Sequence, residues 1–325
     1  MGRVLCAHGT DLRVRIEAQP DVLEWLRQTT GWQAAVEEGL HSLPVLKMAP
    51  PGSGGAIFSA LDVLQENEYV PCEHGAETSL YFADGEVRFA SSDPCTQVAP
   101  LPSSAGVFPR MALEGALFRS LVLQGALGLH GLAFEVGDCG VLAIGPSGAG
   151  KTTLALAALS GGARLASDDR VALYVVGGAL LAVSMRDYLQ IRRASLRSFP
   201  QEALPEVMRQ GDYPHESYRH FLGDLPDAFT GVVEVKHLLL LDACDRPQAT
   251  RLSPANLAEG LAGLIGGSCP YFFSEAGESA SPLLGKVLKM LAGVRVSRVK
   301  VGHQLLNDPV REFYSLMAAL EFGGA

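Results

Sequence analysis

A glycine-rich segment, residues 145–152 with the sequence GPSGAGKT, has the G-x-x-x-x-G-K-[ST] spacing of a phosphate-binding loop. Glycines let backbone N–H groups turn toward phosphate oxygens, and the following helix adds its positive end. Lys151 would neutralise the β- and γ-phosphate oxygens, and Thr152 is placed to ligate Mg²⁺. The sequence therefore predicts an ATP and Mg²⁺ site. The expected nucleotide contacts are Gly145, Ser147, Gly148, Ala149, Gly150, Lys151, Thr152 and Thr153.

The flanks of this loop have the patterns that a nucleotide site requires. Apolar residues 141–144 predict a strand that feeds the loop, and KTTLALAALS predicts a helix that starts at Lys151 and stops at Gly161 and Gly162. An ordinary glycine-rich turn before a helix is the alternative. Because strand, loop, lysine, hydroxyl and helix occur in register, the sequence favours nucleotide binding.

Two adjacent carboxylates, Asp168 and Asp169, follow a predicted strand at residues 164–167. If that strand runs parallel to the strand feeding the loop, its carboxyl end lies at the same sheet edge as the phosphates. Adjacent side chains on a strand point to opposite faces, so one carboxylate would face the nucleotide and the other would make structural contacts. Mutual repulsion can raise the pKa of one toward a value suited to a general base. A solvated Asp-Asp turn is the alternative, and the position after the loop favours the catalytic interpretation.

Three segments together resemble the catalytic domain of HPr kinase/phosphorylase: LHG at residues 129–131, GVLAIGPSGAGKTTLALAAL, and GARLASDDRVAL. The resemblance covers about residues 125–195. It implies an α/β fold with a P-loop kinase core related to phosphoenolpyruvate carboxykinase, binding ATP and Mg²⁺. It also implies that Asp168 takes a proton from a serine hydroxyl, that Asp169 joins Thr152 as a metal ligand, and that His130 lies close to the reacting phosphate. From the residues alone, a structural role for His130 is favoured.

The sequence departs from that family pattern further along the chain. Gln190-Ile191-Arg192 stands where the family has Glu-Ile-Arg, so a neutral side chain replaces a metal-binding glutamate, while Arg192 can still contact phosphate. The family's later Gly-Arg-Asn loop is not recognisable, which argues against a reverse phosphorylase activity and against HPr as the acceptor. Such departures resemble HPr-kinase-like enzymes of peptide natural-product pathways, including lasso-peptide kinases.

These residues predict a kinase that transfers the γ-phosphoryl group to a serine-like hydroxyl on a peptide or protein. A kinase of a free amino acid or another small-molecule hydroxyl is the first alternative. A nucleotide-dependent switch or chaperone-like ATPase without a phosphorylated acceptor is the second. Assembly with copies of itself is an expectation that rests on the family resemblance alone.

Composition narrows the classes of partner. The chain has 325 residues with 26 Lys and Arg against 35 Asp and Glu, a formal net charge of -9, which disfavours nucleic acid as a partner. The six cysteines show neither a disulfide framework nor zinc-ligand spacing. No signal-peptide core and no apolar stretch of membrane-spanning length occurs, so we expect a cytoplasmic protein that does not enter a membrane.

The patterns predict two domains, a smaller α+β domain over residues 1–105 that serves acceptor or partner recognition and the catalytic domain over residues 106–325. In the first, we expect a strand in DLRVRIEA, one or two helices over residues 19–40, and a hairpin turning at Asp84-Gly85. Pro- and Ser-rich residues 91–110 predict a linker. A helix should then run from residue 110 to near Gly128 or Gly131, before strands in LAFEV and GVLAIG.

The downstream segments predict core elements, and two segments allow more than one interpretation. KHLLLLDACD reads as a buried strand ending at Asp242, for which a structural role is favoured over a metal role. Residues 210–231 predict a long loop, either a lid or a surface excursion. Arg186, Arg192, Arg193 and Arg197 are expected to be solvated, with contact to phosphate or to an acidic peptide as the alternative. Helices in NLAEGLAGLIGG and SPLLGKVLKMLAGV, a strand in VRVSRVKVG, and a final helix from Pro309 complete the prediction.

Overall fold

The structure is a computed structural model. It describes residues 3–6, 13–18, 22–24, 27, 33–34, 44–48, 70–74, 77–82, 85–90, 95–100, 110–186, 188–209, 217–221, 225–242, 248–267, 285, 288–289 and 291–322. The described residues up to Leu127 group into one compact unit, unit 1, and those from Gly128 onward into another, unit 2. The predicted boundary at residue 105, and the roles assigned to the two domains, stay predictions.

Unit 1 contains one mixed sheet of eight described strands in the order β3-β1-β2-β4-β8-β7-β6-β5. Its parallel pairs are β2 with β4 and β4 with β8, and the other pairs are antiparallel. The strands are β1 Arg3–Cys6, β2 Arg13–Glu17, β3 Gln33–Ala34, β4 Val45–Met48, β5 Val70–His74, β6 Glu77–Tyr81, β7 Gly85–Ala90 and β8 Cys95–Pro100. The strand predicted in DLRVRIEA is therefore confirmed as β2.

One helix of unit 1, α1 Arg110–Val122, packs on this sheet against β2, β4, β7 and β8. Leu113, Leu117 and Leu121, spaced four residues apart, are buried, as expected for the apolar stripe of a helix that covers a sheet. At its polar margin, the Arg119 guanidinium donates to Thr96 Oγ1 at 2.7 Å and lies 4.1 Å from the centre of the Phe89 ring.

Three predictions in unit 1 need correction or completion. The predicted linker is wrong at Cys95–Pro100, which pairs on both sides as β8 because Val98 and Ala99 are buried in the sheet. Among the described residues of the range 19–40, residues 22–24 and 27 are helical, as predicted, whereas Gln33–Ala34 pairs with β1 as a strand. The hairpin is confirmed as β6–β7, where Phe82 N–H donates to the Gly85 carbonyl, and Asp84 lies outside the described residues.

Unit 2 contains a second mixed sheet, with the described order β16-β13-β12-β9-β10-β17-β19-β18 and β11 paired beside β9. β14 and β15 form a separate two-stranded antiparallel sheet. The strands are β9 Leu127–Val136, β10 Cys139–Ile144, β11 Arg164–Ser167, β12 Arg170–Val176, β13 Ala179–Ser184, β14 Tyr188–Arg192, β15 Ser217–Phe221, β16 Val232–Glu234, β17 His237–Leu241, β18 Arg251–Pro254 and β19 Arg295–Lys300. At its centre, β10, β17 and β19 run parallel.

Helices cover both faces of this central region, as the alternation of side chains along a strand requires. On one face, Ala143 of β10 belongs to the core cluster that includes the helices α2 and α7. On the other face, Ile144 and Leu240 lie against Gly263 of α5. The helices of unit 2 are α2 Lys151–Ser160, α3 Arg193–Arg197, α4 Glu206–Arg209, α5 Leu257–Gly267, α6 Gln304–Asn307 and α7 Pro309–Phe322, with single 3-10 turns at Gln201–Ala203 and Pro226–Ala228.

Most element predictions for unit 2 are confirmed, including the mixed α/β class, the start of α2 at Lys151, and the start of the final helix at Pro309. Two are wrong. The helix from residue 110 ends at Val122, because a turn with Gly125 at φ 86° leads into the buried strand β9. The long loop predicted over residues 210–231 contains β15. Among the described residues, no helix combines the length and apolar content needed to cross a bilayer.

The end of helix α2 depends on close packing against α7. Gly161 closes α2, and a methyl group on it would overlap the ring of Phe313, a fully buried residue of α7 that also lies 5.8 Å from the Phe134 ring, centre to centre. Tyr314 adds a hydrogen bond from its hydroxyl to the Gly161 carbonyl at 2.9 Å.

We predict that Gly161→Ala lowers the free energy of unfolding by about 1–3 kcal/mol, because the added methyl group overpacks this contact. Gly266→Ala is the matched control, since position 266 lies in α5 with no atom within 4 Å of the added carbon. There, alanine should stabilise the helix by about 0.5–1 kcal/mol. Urea unfolding of both variants measures the two values, and equal effects would contradict the packing account.

Candidate active site

The glycine-rich loop connects the end of β10 to the start of α2 and has the backbone of an anion cradle. Gly148 and Gly150 adopt left-handed conformations, with φ of 80° and 101°, which other residues rarely tolerate. Nothing lies within 4 Å of the position that a side chain on Gly148 would occupy. The loop therefore leaves room for a ligand at the N-terminus of α2, where helix N–H groups favour negative charge.

The first glycine of the loop has a steric role. A side chain on Gly145 would collide with the carbonyl oxygen of Leu241, at the end of the neighbouring strand β17. Close contact between these two strand ends sets the position at which the loop leaves the sheet. Ser147 is exposed, whereas Ala149 and Thr153 are buried, and Thr152 is half-buried at the first turn of α2.

Lys151 folds back over its own loop. Its Nζ donates to the carbonyl oxygens of Gly145 and Pro146, at 2.5 and 3.1 Å. Burial lowers the pKa of Lys151, while the nearby negative charge of Asp169 raises it. The same lysine thus lies within electrostatic range of the loop and of the acidic pair.

The sheet brings the acidic pair to the loop through one intervening strand. β9 pairs antiparallel with both β10 and β11, so β10 and β11 run in the same direction. The predicted common direction is confirmed, but the two strands are not direct neighbours. Gly131 of β9 pairs with Ile144, the last residue of β10, and its N–H donates to the Asp169 carbonyl at 2.9 Å. The main chain of the acidic pair is thereby fixed beside the start of the loop.

Asp168 is a buried carboxyl group with one free acceptor atom. Its Oδ2 accepts the backbone N–H of Gln190 at 3.0 Å, and its Oδ1 has no hydrogen-bond partner among the described residues. The side chain is 5% exposed. Burial, together with the charge of Asp169, raises the pKa of Asp168 to about 7. A carboxyl group of this kind exchanges its proton near neutral pH.

Asp169 has the opposite environment. Its Oδ1 lies 2.6 Å from His130 Nδ1, and its Oδ2 accepts from Arg186 Nη1 at 2.6 Å, with Arg170 Nε at 3.7 Å. Burial alone would raise the pKa of Asp169, but the His130 hydrogen bond and the two arginine charges lower it well below its ordinary range. Asp169 is therefore the ionised member of the pair.

Arg186 is a site residue that sequence reasoning missed. It was assigned to a stretch of solvated arginines, and that expectation is wrong for Arg186, which is buried against Asp169 and over the Tyr188 ring. Arg170, also buried, gave no signal beyond its place directly after the acidic pair. Arg186 lies 17 positions beyond Asp169, and no local sequence pattern predicts a contact over that separation.

Other predicted site residues lie in or directly after described strands. Gln190 and Arg192 belong to β14, next to the Asp168 contact, and the side chain of Arg192 lies outside the described part. Asp242 follows the fully buried strand β17 and pairs with Arg298 at 3.1 Å, which agrees with the favoured structural role. Tyr218, Arg219 and His220 lie in β15, and their side chains are likewise not described.

The residues of this site suit a nucleotide and a metal ion to different degrees. The open left-handed glycine cradle and Lys151 suit a triphosphate, and Thr152 lies in the first turn of the adjoining helix. Asp169 could serve Mg²⁺ only by sharing oxygens that already accept from His130 and Arg186. Within the described ranges, no three His, Cys, Asp or Glu side chains group as metal ligands.

Comparison with known proteins gives a local match. No protein-family model matches the chain. Over 67 residues it is 40% identical to HPr kinase/phosphorylase from Neisseria meningitidis and, equally, to that from Neisseria gonorrhoeae. The match covers 19% of this chain and 21% of each relative, so the chain spans about a fifth of the length of the curated relatives it matches. HPr(Ser) kinase/phosphatase from Coxiella burnetii aligns with 61% of this chain and 99% of its own, with 16% identity and a TM-score of 0.32.

The match over 67 residues confirms the predicted resemblance: over that segment the chain is similar to HPr kinase/phosphorylase.

Because the pKa values of Asp168 and Asp169 shift in opposite directions, we predict that the stability of the protein depends on pH. Because the folded pKa of Asp168 is about 7 and its ordinary value is 3.8, its stabilising contribution is complete below about pH 4 and is lost as pH rises through 7. Asp168→Asn keeps this position neutral at every pH. The stability of the variant relative to wild type should therefore rise by about 1.4 kcal/mol per pH unit between about pH 4 and 7 and then level off.

Urea unfolding at a series of pH values measures this difference, with Asp169→Asn as the control. The pKa of Asp169 is lowered in the folded protein, so its stabilising contribution is present above its ordinary pKa and is lost as pH falls. At neutral pH, Asp169→Asn should therefore destabilise the protein. A difference between wild type and Asp168→Asn that stays constant from pH 4 to 7 would contradict the buried-acid assignment.

Proposed function

We propose that the protein is an ATP- and Mg²⁺-dependent kinase that transfers the γ-phosphoryl group to a serine-like hydroxyl on a peptide or protein, with unit 2 as a P-loop kinase core. One observation carries the proposal. Asp168, a buried carboxyl group with a pKa of about 7 and an unpartnered oxygen, adjoins Asp169, whose charge reaches the loop lysine. A phosphate loop alone would support nucleotide binding, whereas an adjacent proton acceptor supports transfer to a hydroxyl.

The loop supplies the binding half of this proposal. Backbone N–H groups of residues 148–150 and the positive end of α2 would hold the phosphates, and Lys151 would exchange its carbonyl partners for phosphate oxygens. The Thr152 hydroxyl would help to hold Mg²⁺, which would neutralise charge on the phosphate oxygens. Catalysis of this kind consists mainly of positioning and electrostatic stabilisation.

Asp168 supplies the chemical half. Its free Oδ1 accepts the proton of the acceptor hydroxyl, whose oxygen forms a bond to the γ-phosphorus while the bond from that phosphorus to the β–γ bridging oxygen breaks. ADP leaves with the bridging oxygen, and the proton on Asp168 returns to solvent. The Gln190 N–H holds the other carboxyl oxygen, so the base keeps its orientation through the step.

Asp169 and its partners support the base. The fixed negative charge of Asp169 keeps the proton affinity of Asp168 high, and the ion pairs to Arg186 and Arg170 hold that charge in place. His130 gives Nδ1 to Asp169, which leaves Nε2 of the half-buried ring available to a phosphate oxygen. Arg192, on β14, is proposed to contact phosphate.

The peptide or protein acceptor is proposed from the relatives. Their name, HPr kinase/phosphorylase, states that those enzymes act on HPr. Gln190, in place of the glutamate that the family resemblance implies, removes one carboxylate from the metal site. That loss supports a kinase with fewer metal contacts.

We predict that two substitutions separate binding from transfer. Lys151→Ala should weaken phosphate handling and lower kcat/KM by about 10²–10³-fold, because a charge on the transferring group is lost. Asp168→Asn should keep the Kd for ATP within about twofold and lower kcat by about 10²–10⁴-fold, because only proton transfer is removed. Calorimetry with ATP measures the Kd. Transfer of label from γ-³²P-ATP to peptide, protein and free-serine acceptors measures kcat and kcat/KM.

Exposed Lys289 and Asp227 provide matched controls. Lys289→Ala and Asp227→Asn should leave the Kd for ATP and the rate of transfer unchanged. Label on a peptide or protein supports the stated acceptor, and label on free serine supports a small-molecule kinase instead. Release of label only as inorganic phosphate would replace the kinase with an ATPase. Undiminished transfer by Asp168→Asn would overturn the base assignment.

The pH dependence of transfer offers a separate prediction. Since Asp168 must be ionised to accept a proton, kcat should rise with pH through about 7 and reach a plateau above it. Arg186→Met removes a charge that lowers the pKa of Asp168. The increase of kcat with pH should therefore occur at a higher pH in this variant than in wild type. Steady-state kinetics from about pH 5.5 to 9 test this, and a flat wild-type profile would contradict it.

A further inference from the structure

We infer that unit 2 carries a second ligand site, a cleft at the sheet edge opposite the glycine-rich loop, that binds a small zwitterion such as a free amino acid or a short peptide. The cleft has a volume of about 900 Å³, within the range of small-molecule sites. Its walls come from the β9–β10 turn, the β12–β13 turn, the chain from β16 into β17, the start of β19 and the end of α7.

The position of the cleft separates it from the proposed kinase site. Cys139, His237 and Arg295 begin the three parallel strands β10, β17 and β19, and the glycine-rich loop follows the opposite end of β10. Six strand residues at roughly 3.3 Å each place the two ends of β10 about 17–20 Å apart. A small molecule in the cleft therefore does not reach a phosphate on the loop.

The charges around the cleft favour a ligand with both signs of charge. Five exposed charged side chains line it, and none of them forms an ion pair with another described residue: Asp138, Glu234, Lys236, Arg295 and Glu321. A simple anion would meet three carboxylates, and a simple cation would meet two basic groups. A zwitterion satisfies both sets, with its carboxylate at Lys236 and Arg295 and its ammonium group at the acidic side chains.

Two further features indicate a formed site. Arg295 Nη1 donates to the carbonyl oxygens of Leu320 and Glu321, each at 3.2 Å, which fixes the end of α7 as a wall. His237 lines the cleft with only 6% of its surface exposed, and its Nδ1 has no hydrogen-bond partner among the described residues. Burial lowers the pKa of His237, so the ring is neutral and can bond a polar ligand group.

Isothermal titration calorimetry of the full chain without nucleotide tests the site. The probes are the twenty L-amino acids and a set of dipeptides, each at millimolar concentration, which distinguish a free amino acid from a peptide as the source. At least one zwitterion should bind with a millimolar or tighter Kd. Its N-acetylated and amidated forms should bind at least about tenfold more weakly, because each lacks one charge.

Substitutions then locate the binding. Lys236→Gln and Glu234→Gln change exposed side chains and should each weaken binding by about fivefold or more. Lys289→Gln, outside the cleft, and Lys151→Ala, at the other sheet edge, should leave it unchanged. Absence of binding by every probe would overturn the inference, as would binding that neither cleft substitution affects. Because no nucleotide is present in this experiment, a negative result leaves the kinase proposal intact. A negative kinase assay likewise leaves the cleft proposal intact.

Discussion

Two neighbouring carboxyl groups cannot both carry full charge in a buried site, and the environment of Asp168 and Asp169 resolves this conflict. His130, Arg186 and Arg170 surround Asp169 and hold it ionised. Asp168 receives one backbone N–H and retains its proton to about pH 7. The arrangement makes two chemically identical side chains different in role, one a fixed charge and the other a proton acceptor near neutral pH.

The sheet of unit 2 provides the geometry for this division. β9 lies between β10 and β11, so a single glycine, Gly131, contacts the end of the loop strand on one side and the Asp169 main chain on the other. A side chain there would press on Ile144 and Val171. The close approach of three backbone segments therefore joins the glycine-rich loop and the acidic pair at one end of the sheet.

Local patterns in the sequence predicted much of this edge. The loop, its strand, its helix and the acidic pair occur within about 30 residues, and their mechanism needs a fixed register, so spacing was sufficient. Contacts between distant residues were beyond that reasoning. Arg186 has the pattern of a surface arginine until the β12–β13 pair places it against Asp169. β8 has the pattern of a linker because Pro and Ser residues surround its three buried positions, Thr96, Val98 and Ala99. Tertiary pairing, more than local propensity, decided those elements.

The contact between the end of α2 and the final helix also bears on the order in which the chain matures. Tyr314 reaches back across 153 positions to the carbonyl of Gly161, and Phe313 fills the space beside it. During synthesis, the segment with the phosphate loop leaves the ribosome well before these two aromatic residues are made. The loop helix therefore acquires its last core partner late, after translation has passed Tyr314.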